Sequence, residues 1–322
     1  MNGRERQRRT TKPAGACLAA GGASATRRRF LQSAGAAVAA GAAAPLGIAR
    51  ASDAKQVVVG AHPWVYAAKQ PGYDITPILD SIFADMKYAG MDGIELMHTA
   101  LRPDDAVERI GALSEEHGLP VLGTSFGGKM FDRAEHGAVL EDAERVITRL
   151  AKLGGRTLGT SVGRAPKRKT PDQLDAQADL LKRIIAVAQA HGVVLNLHNH
   201  TYEVVDRLHD LRGTLARVPG VKLGPDLNWL VRGGVDPVEF LLEFADRVVF
   251  LHLRDQKADG TWSEAMGEGD MDYVAVGKAL RRIGFSGDAV IELAHERDFT
   301  PTRPLRESLK ISRQFVKDTL GY

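Results

Sequence analysis

Gly192-Val193-Val194-Leu195-Asn196-Leu197-His198-Asn199-His200, residues 192–200, is a short apolar run that ends in imidazoles. Its length and its valine and leucine content read as a strand buried on both faces. The same pattern recurs downstream in Leu223-Gly224-Pro225-Asp226, Phe250-Leu251-His252-Leu253-Arg254-Asp255 and Val290-Ile291-Glu292. Four successive strands thus end in His, Asp, His and Glu. In a parallel barrel those ends converge on one rim, and mixed nitrogen and oxygen donors suit a divalent ion.

Working outward, short apolar runs alternate with longer amphipathic ones from Lys55 onward. Strands are expected at Val57–Ala61, Gly93–Met97, Pro120–Ser125, Thr157–Ser161, Val193–His198, Val221–Pro225, Val248–His252 and Ala289–Glu292. Helical patterns fill the gaps at Ile75–Ala89, Asp104–His117, Ala138–Leu153, Pro171–His191, Leu208–Arg217, Pro237–Phe244, Met271–Ile283 and Pro304–Thr319. A period near 3.6 is clear in Leu174, Ala178, Leu181, Ile185 and Ala188. Gly90, Gly118, Gly154, Gly192 and Gly284 each stand where a helix must stop in a left-handed residue. Eight strand–helix units predict an α/β fold, a (β/α)8 TIM barrel, as a single domain over residues 52–322. No glycine-rich dinucleotide fingerprint follows the first strand, which argues against an open doubly wound sheet.

Residues 1–51 read as an export signal rather than as part of that domain. Thr26-Arg27-Arg28-Arg29-Phe30-Leu31-Gln32 fits the twin-arginine pattern, an alanine-rich stretch follows, and Ala49-Arg50-Ala51 supplies a small-residue cleavage site. A twin-arginine signal peptide places the mature protein in the periplasm or outside the cell. The segment carries nine cations and one acid, so its removal turns a formal charge of +3 into −5. A mildly acidic domain gives no reason to expect a nucleic-acid partner, and the only cysteine, Cys17, leaves with the signal.

In strands, alternate residues share a face. His198 and His200 therefore point one way with Asn199 opposite, and His252 and Arg254 share the inward side. An acid within Val290-Ile291-Glu292-Leu293 is costly to bury without a cation. Asp226, after Pro225, could also cap a turn. Trp64, Tyr66, Trp229 and Trp262 fall near strand ends, where an aromatic face could stack on a sugar ring or simply cap the barrel. Lys167-Arg168-Lys169 reads as a solvated loop, and His98, His136 and His209 as surface residues.

Several segments together carry a family resemblance. They are Gly93-Ile94-Glu95-Leu96, His198-Asn199-His200 with Glu203, Asp226 with Trp229, His252-Leu253-Arg254-Asp255, Gly267-Glu268-Gly269 with Asp272, and Ile291-Glu292. The mature chain resembles the xylose-isomerase-like TIM-barrel superfamily, in its sugar phosphate isomerase, epimerase and inosose-dehydratase-like branch. The resemblance implies one divalent ion, Mn2+ first, with Mg2+, Co2+ or Zn2+ as alternatives. It implies ligands on strands five to eight: Asp226, His252 and Glu292, with His198 or His200 where the epimerases carry a glutamate. A metal-bound imidazole is a poor carbon base, so a symmetric two-glutamate mechanism is in question, and Glu203 and Glu95 stand as substitutes.

Such a site would stabilise an enediolate formed on a keto-sugar. Glu292, Glu203 and His200 are the candidate proton carriers, Arg254 the group neutralising an oxyanion, and His62, Trp64, Glu95 and Trp229 the substrate contacts. Isomerisation or epimerisation is the first expectation, and a dehydratase or lyase acting on a keto-sugar or keto-glycoside the alternative. A phosphodiesterase such as the apurinic endonucleases, which share this barrel, needs two or three metals and a basic groove, contrary to the charge of −5. A non-catalytic carbohydrate-binding barrel would have no need of a Lewis acid. The expected partner is a small carbohydrate, with no nucleic acid, no membrane once the signal is cleaved, and room for a homo-oligomer.

Overall fold

The computed structural model describes residues 56–322. The proposed export signal, residues 1–51, and the domain boundary after it lie outside the described residues.

Eight parallel strands form one sheet: β1 (Val59–Ala61), β2 (Gly93–Met97), β3 (Val121–Gly127), β4 (Thr157–Ser161), β5 (Val194–Leu197), β6 (Lys222–Leu223), β7 (Phe250–Leu253) and β8 (Asp288–Ile291). Neighbours follow chain order from β1 through β6, and β1 also pairs with β8, which pairs with β7. Parallel bridges Leu223–Val248 and Asp226–His252 join the end of β6 to β7 and bring the sheet back on itself. The result is the (β/α)8 barrel that the alternation predicted, with every expected strand within a few residues of its place.

Ten α-helices lie in the described residues: α1 (Trp64–Ala67), α2 (Leu79–Tyr88), α3 (Ala106–His117), α4 (His136–Lys152), α5 (Pro171–Ala190), α6 (Thr201–Arg217), α7 (Leu227–Arg232), α8 (Pro237–Glu243), α9 (Tyr273–Arg282) and α10 (Leu305–Leu320). The five helix-stopping glycines all have positive φ, from +55° at Gly118 to +84° at Gly154. Helix α5 starts at a full capping box: Thr170 Oγ1 accepts from Gln173 N–H while Gln173 Oε1 accepts from Thr170 N–H. None of the helices among the described residues is long and apolar enough to cross a membrane.

Two features depart from the sequence reading. Helix α6 begins at Thr201, seven residues before the expected start. The helical pattern is broken at Val205–Leu208, where Asp206, Arg207 and Leu208 all take φ near +60°. Lys169, expected in a solvated loop, is buried: its Nζ lies 2.5 Å from Asp210 Oδ2 and donates to Gln177 Oε1 at 2.6 Å. A bare ammonium cannot be buried at that depth without such partners.

The barrel interior is polar at one level. Glu95 and Asn196 are completely buried, and glycines opposite leave room for them. A Cβ on Gly224 would overlap the Asn196 side-chain oxygen, and one on Gly159 would stand 3.2 Å from Glu95 Oε1. These two glycines are therefore conditions for placing polar side chains beneath the barrel mouth.

Candidate functional site

The sheet itself aims the polar side chains at the mouth. His62 follows β1 and donates its N–H to Ile291 O, and Glu292 follows β8 and donates to Leu253 O, each at 2.9 Å. His198 follows β5 and donates to Thr160 O at 3.0 Å; His252, inside β7, donates to Pro225 O at 3.0 Å. Each residue is thus an extension of the ladder, with little backbone freedom. Asp226 is fixed from two sides. Asn199 exchanges two hydrogen bonds with its backbone, both 3.2 Å, and Asp226 Oδ1 caps α7 by accepting from Trp229 N–H at 2.9 Å. The turn-capping reading of Asp226 holds, and it leaves Oδ2 turned to the barrel centre.

Ligand-capable atoms of His198, Asp226 and His252 all lie within 4.8 Å of one another. The Nδ1 atoms of His198 and His252 are 2.8 Å apart, and His252 Nδ1 is 3.1 Å from Glu292 Oε2. Arg254 Nη2 sits 2.9 Å from Asp226 Oδ2 and 2.8 Å from Glu292 Oε2, yet neither oxygen has a well-aligned hydrogen-bond donor. Two buried carboxylate oxygens and two converging imidazole nitrogens are a donor set that a cation would satisfy. Charge agrees with that reading. Glu95, Asp226 and Glu292 outnumber the one fixed cation among them, Arg254, and all four are buried.

Burial and neighbours set the protonation states. Burial drives His198 well below its usual range, and the imidazoles of His252 and His200 add to this. His62 is lowered by burial against the pull of Glu292 and Glu95. His252 is raised to about 9, because Glu95 and Glu292 outweigh its burial. Burial also works against charge on Glu292, but Arg254 and three imidazoles hold it well below the carboxylate range. Asp226 moves upward, burial outweighing Arg254. Of the two carboxylates on Arg254, Glu292 is therefore the firmly ionised one.

A cavity of about 370 Å³ opens above this cluster, walled by His62, Trp64, His198, His200, His252 and Glu292 among the residues expected from sequence. Its size falls at the small end of ligand pockets.

Five expected site residues stand outside its wall: Asp226, already described, and Glu203, Glu95, Arg254 and Trp229. Glu203 is the third residue of α6, and its carboxylate reaches back to the helix start. Oε2 accepts from His200 N–H at 2.6 Å, and Oε1 accepts from Ser161 Oγ at 2.6 Å and Val162 N–H at 3.1 Å. With those donors engaged it caps the start of α6. Glu95 lies below the mouth, its Oε2 2.5 Å from His252 Nε2, and it does not line the cavity. Arg254 clamps Asp226 and Glu292 rather than facing the cavity. Trp229 packs behind His200, its ring 5.7 Å from that imidazole and 5.5 Å from the Arg254 guanidinium.

Other wall residues carried no sequence signal. Ser125 Oγ lies 3.0 Å from His62 Nε2, and Trp64 N–H donates to His62 Nδ1 at 3.2 Å. That pairing fixes the neutral tautomer with its proton on Nε2. Tyr202 OH bridges Ser161 Oγ at 2.9 Å and His200 Nδ1 at 3.1 Å. His98, expected at the surface, is half-buried in the cavity wall with its ring edge-on to Phe126 at 5.3 Å.

Known proteins share this architecture. The rhizopine catabolism protein MocC of Rhizobium meliloti is 26% identical over 261 residues, spanning 70% of this chain and 77% of that protein. An inosose dehydratase of Geobacillus kaustophilus is 27% identical over 182 residues, 48% of this chain and 56% of its own length, so the match spans about half of that relative. The solved structure of L-ribulose 3-epimerase superposes with a TM-score of 0.67 at 21% identity, over 83% of this chain and 95% of that one, a likeness of fold. Residues 83–315 match the family described as Xylose isomerase-like TIM barrel, and over that span, with strand ends converging as the fold requires, the chain belongs to this family.

Proposed function

We propose that this protein is a divalent-metal-dependent enzyme that removes a proton next to the carbonyl of a keto-sugar or keto-cyclitol and expels a β-substituent, as a dehydratase or lyase. His198, Asp226, His252 and Glu292 would hold the ion. When bound, it would supply Lewis-acid polarisation of a carbonyl oxygen and its neighbouring hydroxyl, acidifying the adjacent C–H. The observation that carries the choice of reaction is that Glu292 is the sole carboxylate among the cavity-lining residues, Glu203 being consumed as a helix cap. A two-carboxylate epimerase has no second carboxylate here.

The chain's own residues then divide the work. Glu292, in the wall, accepts the proton from carbon. His200 stands half-buried in the wall with Nδ1 engaged by Tyr202, which leaves Nε2 to give a proton to the departing oxygen. One proton thus moves from carbon to carboxylate, and another from imidazole to the leaving group, as a carbon–carbon double bond forms. Arg254 holds Asp226 and Glu292 in register, and Glu95 holds His252. The inosose dehydratase relative supports this reading.

Isomerisation or epimerisation, the first expectation from sequence, remains as a second reading. One observation favours it: the neutral His62 imidazole lies in the same wall, its Nδ1 3.6 Å from Glu292 Oε1, where it could carry a second proton. Incubation of Mn2+-loaded protein with ketoses, 3-keto-glycosides and a keto-inositol in D2O separates the two. An unsaturated product with loss of water or alcohol supports elimination; solvent deuterium in an otherwise intact carbon skeleton supports the second reading. Neither outcome with any of them rejects both. We propose in addition that the protein reaches its site of action by twin-arginine export, on the strength of Arg28-Arg29-Phe30-Leu31.

A further inference from the structure

Trp64, the first residue of α1, is half-buried and lines the cavity, and its backbone bond to His62 Nδ1 ties it to the end of β1. The indole is also stacked on Tyr73, with ring centroids 5.4 Å apart and planes 20° apart. Tyr73 is 48% exposed. It holds φ at +60°, directly after Gly72 at +62°. A side chain in that region crowds its Cβ against the following carbonyl, a conformation glycine adopts without penalty. Strain of this kind is retained where it serves a site. Here its product is an aromatic ring held in water against the cavity wall, a placement that forgoes the burial an apolar ring would otherwise gain.

We infer that Trp64 and Tyr73 form a platform for a second sugar ring, so that the preferred substrate is a glycoside rather than a free monosaccharide. This rests on the sugar reading of the cavity given above. About 370 Å³ accommodates one ring beside Glu292; Trp64 lines that space, and the exposed Tyr73 stacked on it extends the aromatic surface beyond the lining. The C–H face of a pyranose is apolar and lies flat on an aromatic face, while its hydroxyls stay at the edge in water.

The test uses the full chain loaded with Mn2+ and calorimetric titration of paired ligands: methyl glucosides and methyl galactosides of both anomers, against the glucose and galactose disaccharides. We expect a disaccharide to bind about tenfold more tightly than the methyl glycoside of its cavity ring. Tyr73→Gly should abolish that advantage, leave the methyl glycoside's Kd unchanged, and give a thermal midpoint no lower than the parent's. The platform is overturned if methyl glycosides bind and disaccharides gain nothing, if Tyr73→Gly keeps the advantage, or if it weakens both ligand classes equally. Absence of binding by every ligand overturns the sugar reading as well.

Discussion

Replacing Glu95 with glutamine tests whether this carboxylate acts on the substrate or on His252. The pair is fully enclosed, with side-chain exposures of 0% for Glu95 and 2% for His252 and a separation of 2.5 Å. A hydrogen bond to an ionised partner contributes roughly 1.5–3 kcal/mol, against about 0.5–1.5 for a neutral one. Glu95→Gln keeps the shape and leaves an amide oxygen able to accept from His252 Nε2–H, so the expected loss of stability is about 1–2 kcal/mol. The amide nitrogen would take the place of Oε1, which has no partner in the parent. A group that orients a liganding imidazole typically affects metal affinity by about 10- to 100-fold when changed. Calorimetry with Mn2+ should therefore give a Kd weakened by that factor. At saturating Mn2+ the sugar KM should stay within about twofold of the parent, because the carboxylate does not line the cavity. An unchanged Mn2+ affinity, or a KM raised tenfold at saturating metal, would refute the assignment of Glu95 to His252.

Glu203→Ala removes the acceptor of three hydrogen bonds at the start of α6, and should cost about 2–4 kcal/mol in denaturant unfolding; a large fall in kcat without loss of stability would return Glu203 to the chemistry. His98 is lowered to about 4, chiefly by burial. The unfolded chain takes up that proton first, so the contribution of His98 is complete above pH 6.5 and is lost as pH falls toward 4, by at most about 3 kcal/mol. His98→Phe should flatten that part of the stability profile, and an unchanged slope would contradict the shift. Asp226→Asn and Glu292→Gln should each lower bound Mn2+ to well under half an ion per chain while the barrel's circular dichroism is kept. Export would yield a chain beginning at Ser52, read directly as the mass of the protein recovered from the periplasm.

The fold was legible because two independent signals coincide. Short apolar runs mark the strands, and glycines that the structure holds at positive φ mark where each helix ends. The strand-end rule also found the cluster, since His198, Asp226, His252 and Glu292 all occur where a strand delivers its last side chains. Depth was harder to judge. Glu95 is the third residue of β2, two before its end, and that position puts it beneath the mouth rather than in it. Glu203 misled for a different reason: the left-handed residues at 206–208 interrupt the helical period, so α6 was read from Leu208 and its capping glutamate looked free. Ser125, Ser161 and His98 enter through loop and strand geometry that no periodicity encodes. The exposed stack of Trp64 and Tyr73 depends on two consecutive positive φ values, which a Gly-Tyr pair does not announce.

Anomalous diffraction from crystals soaked in Mn2+ addresses the shared cation most directly. One peak is expected at roughly 2.0–2.3 Å from His198 Nδ1, His252 Nδ1, Asp226 Oδ2 and a Glu292 oxygen. A peak confined to the exposed Asp80, Glu116 and His117 group, or none at the barrel mouth, would contradict the assignment of these four residues to one ion.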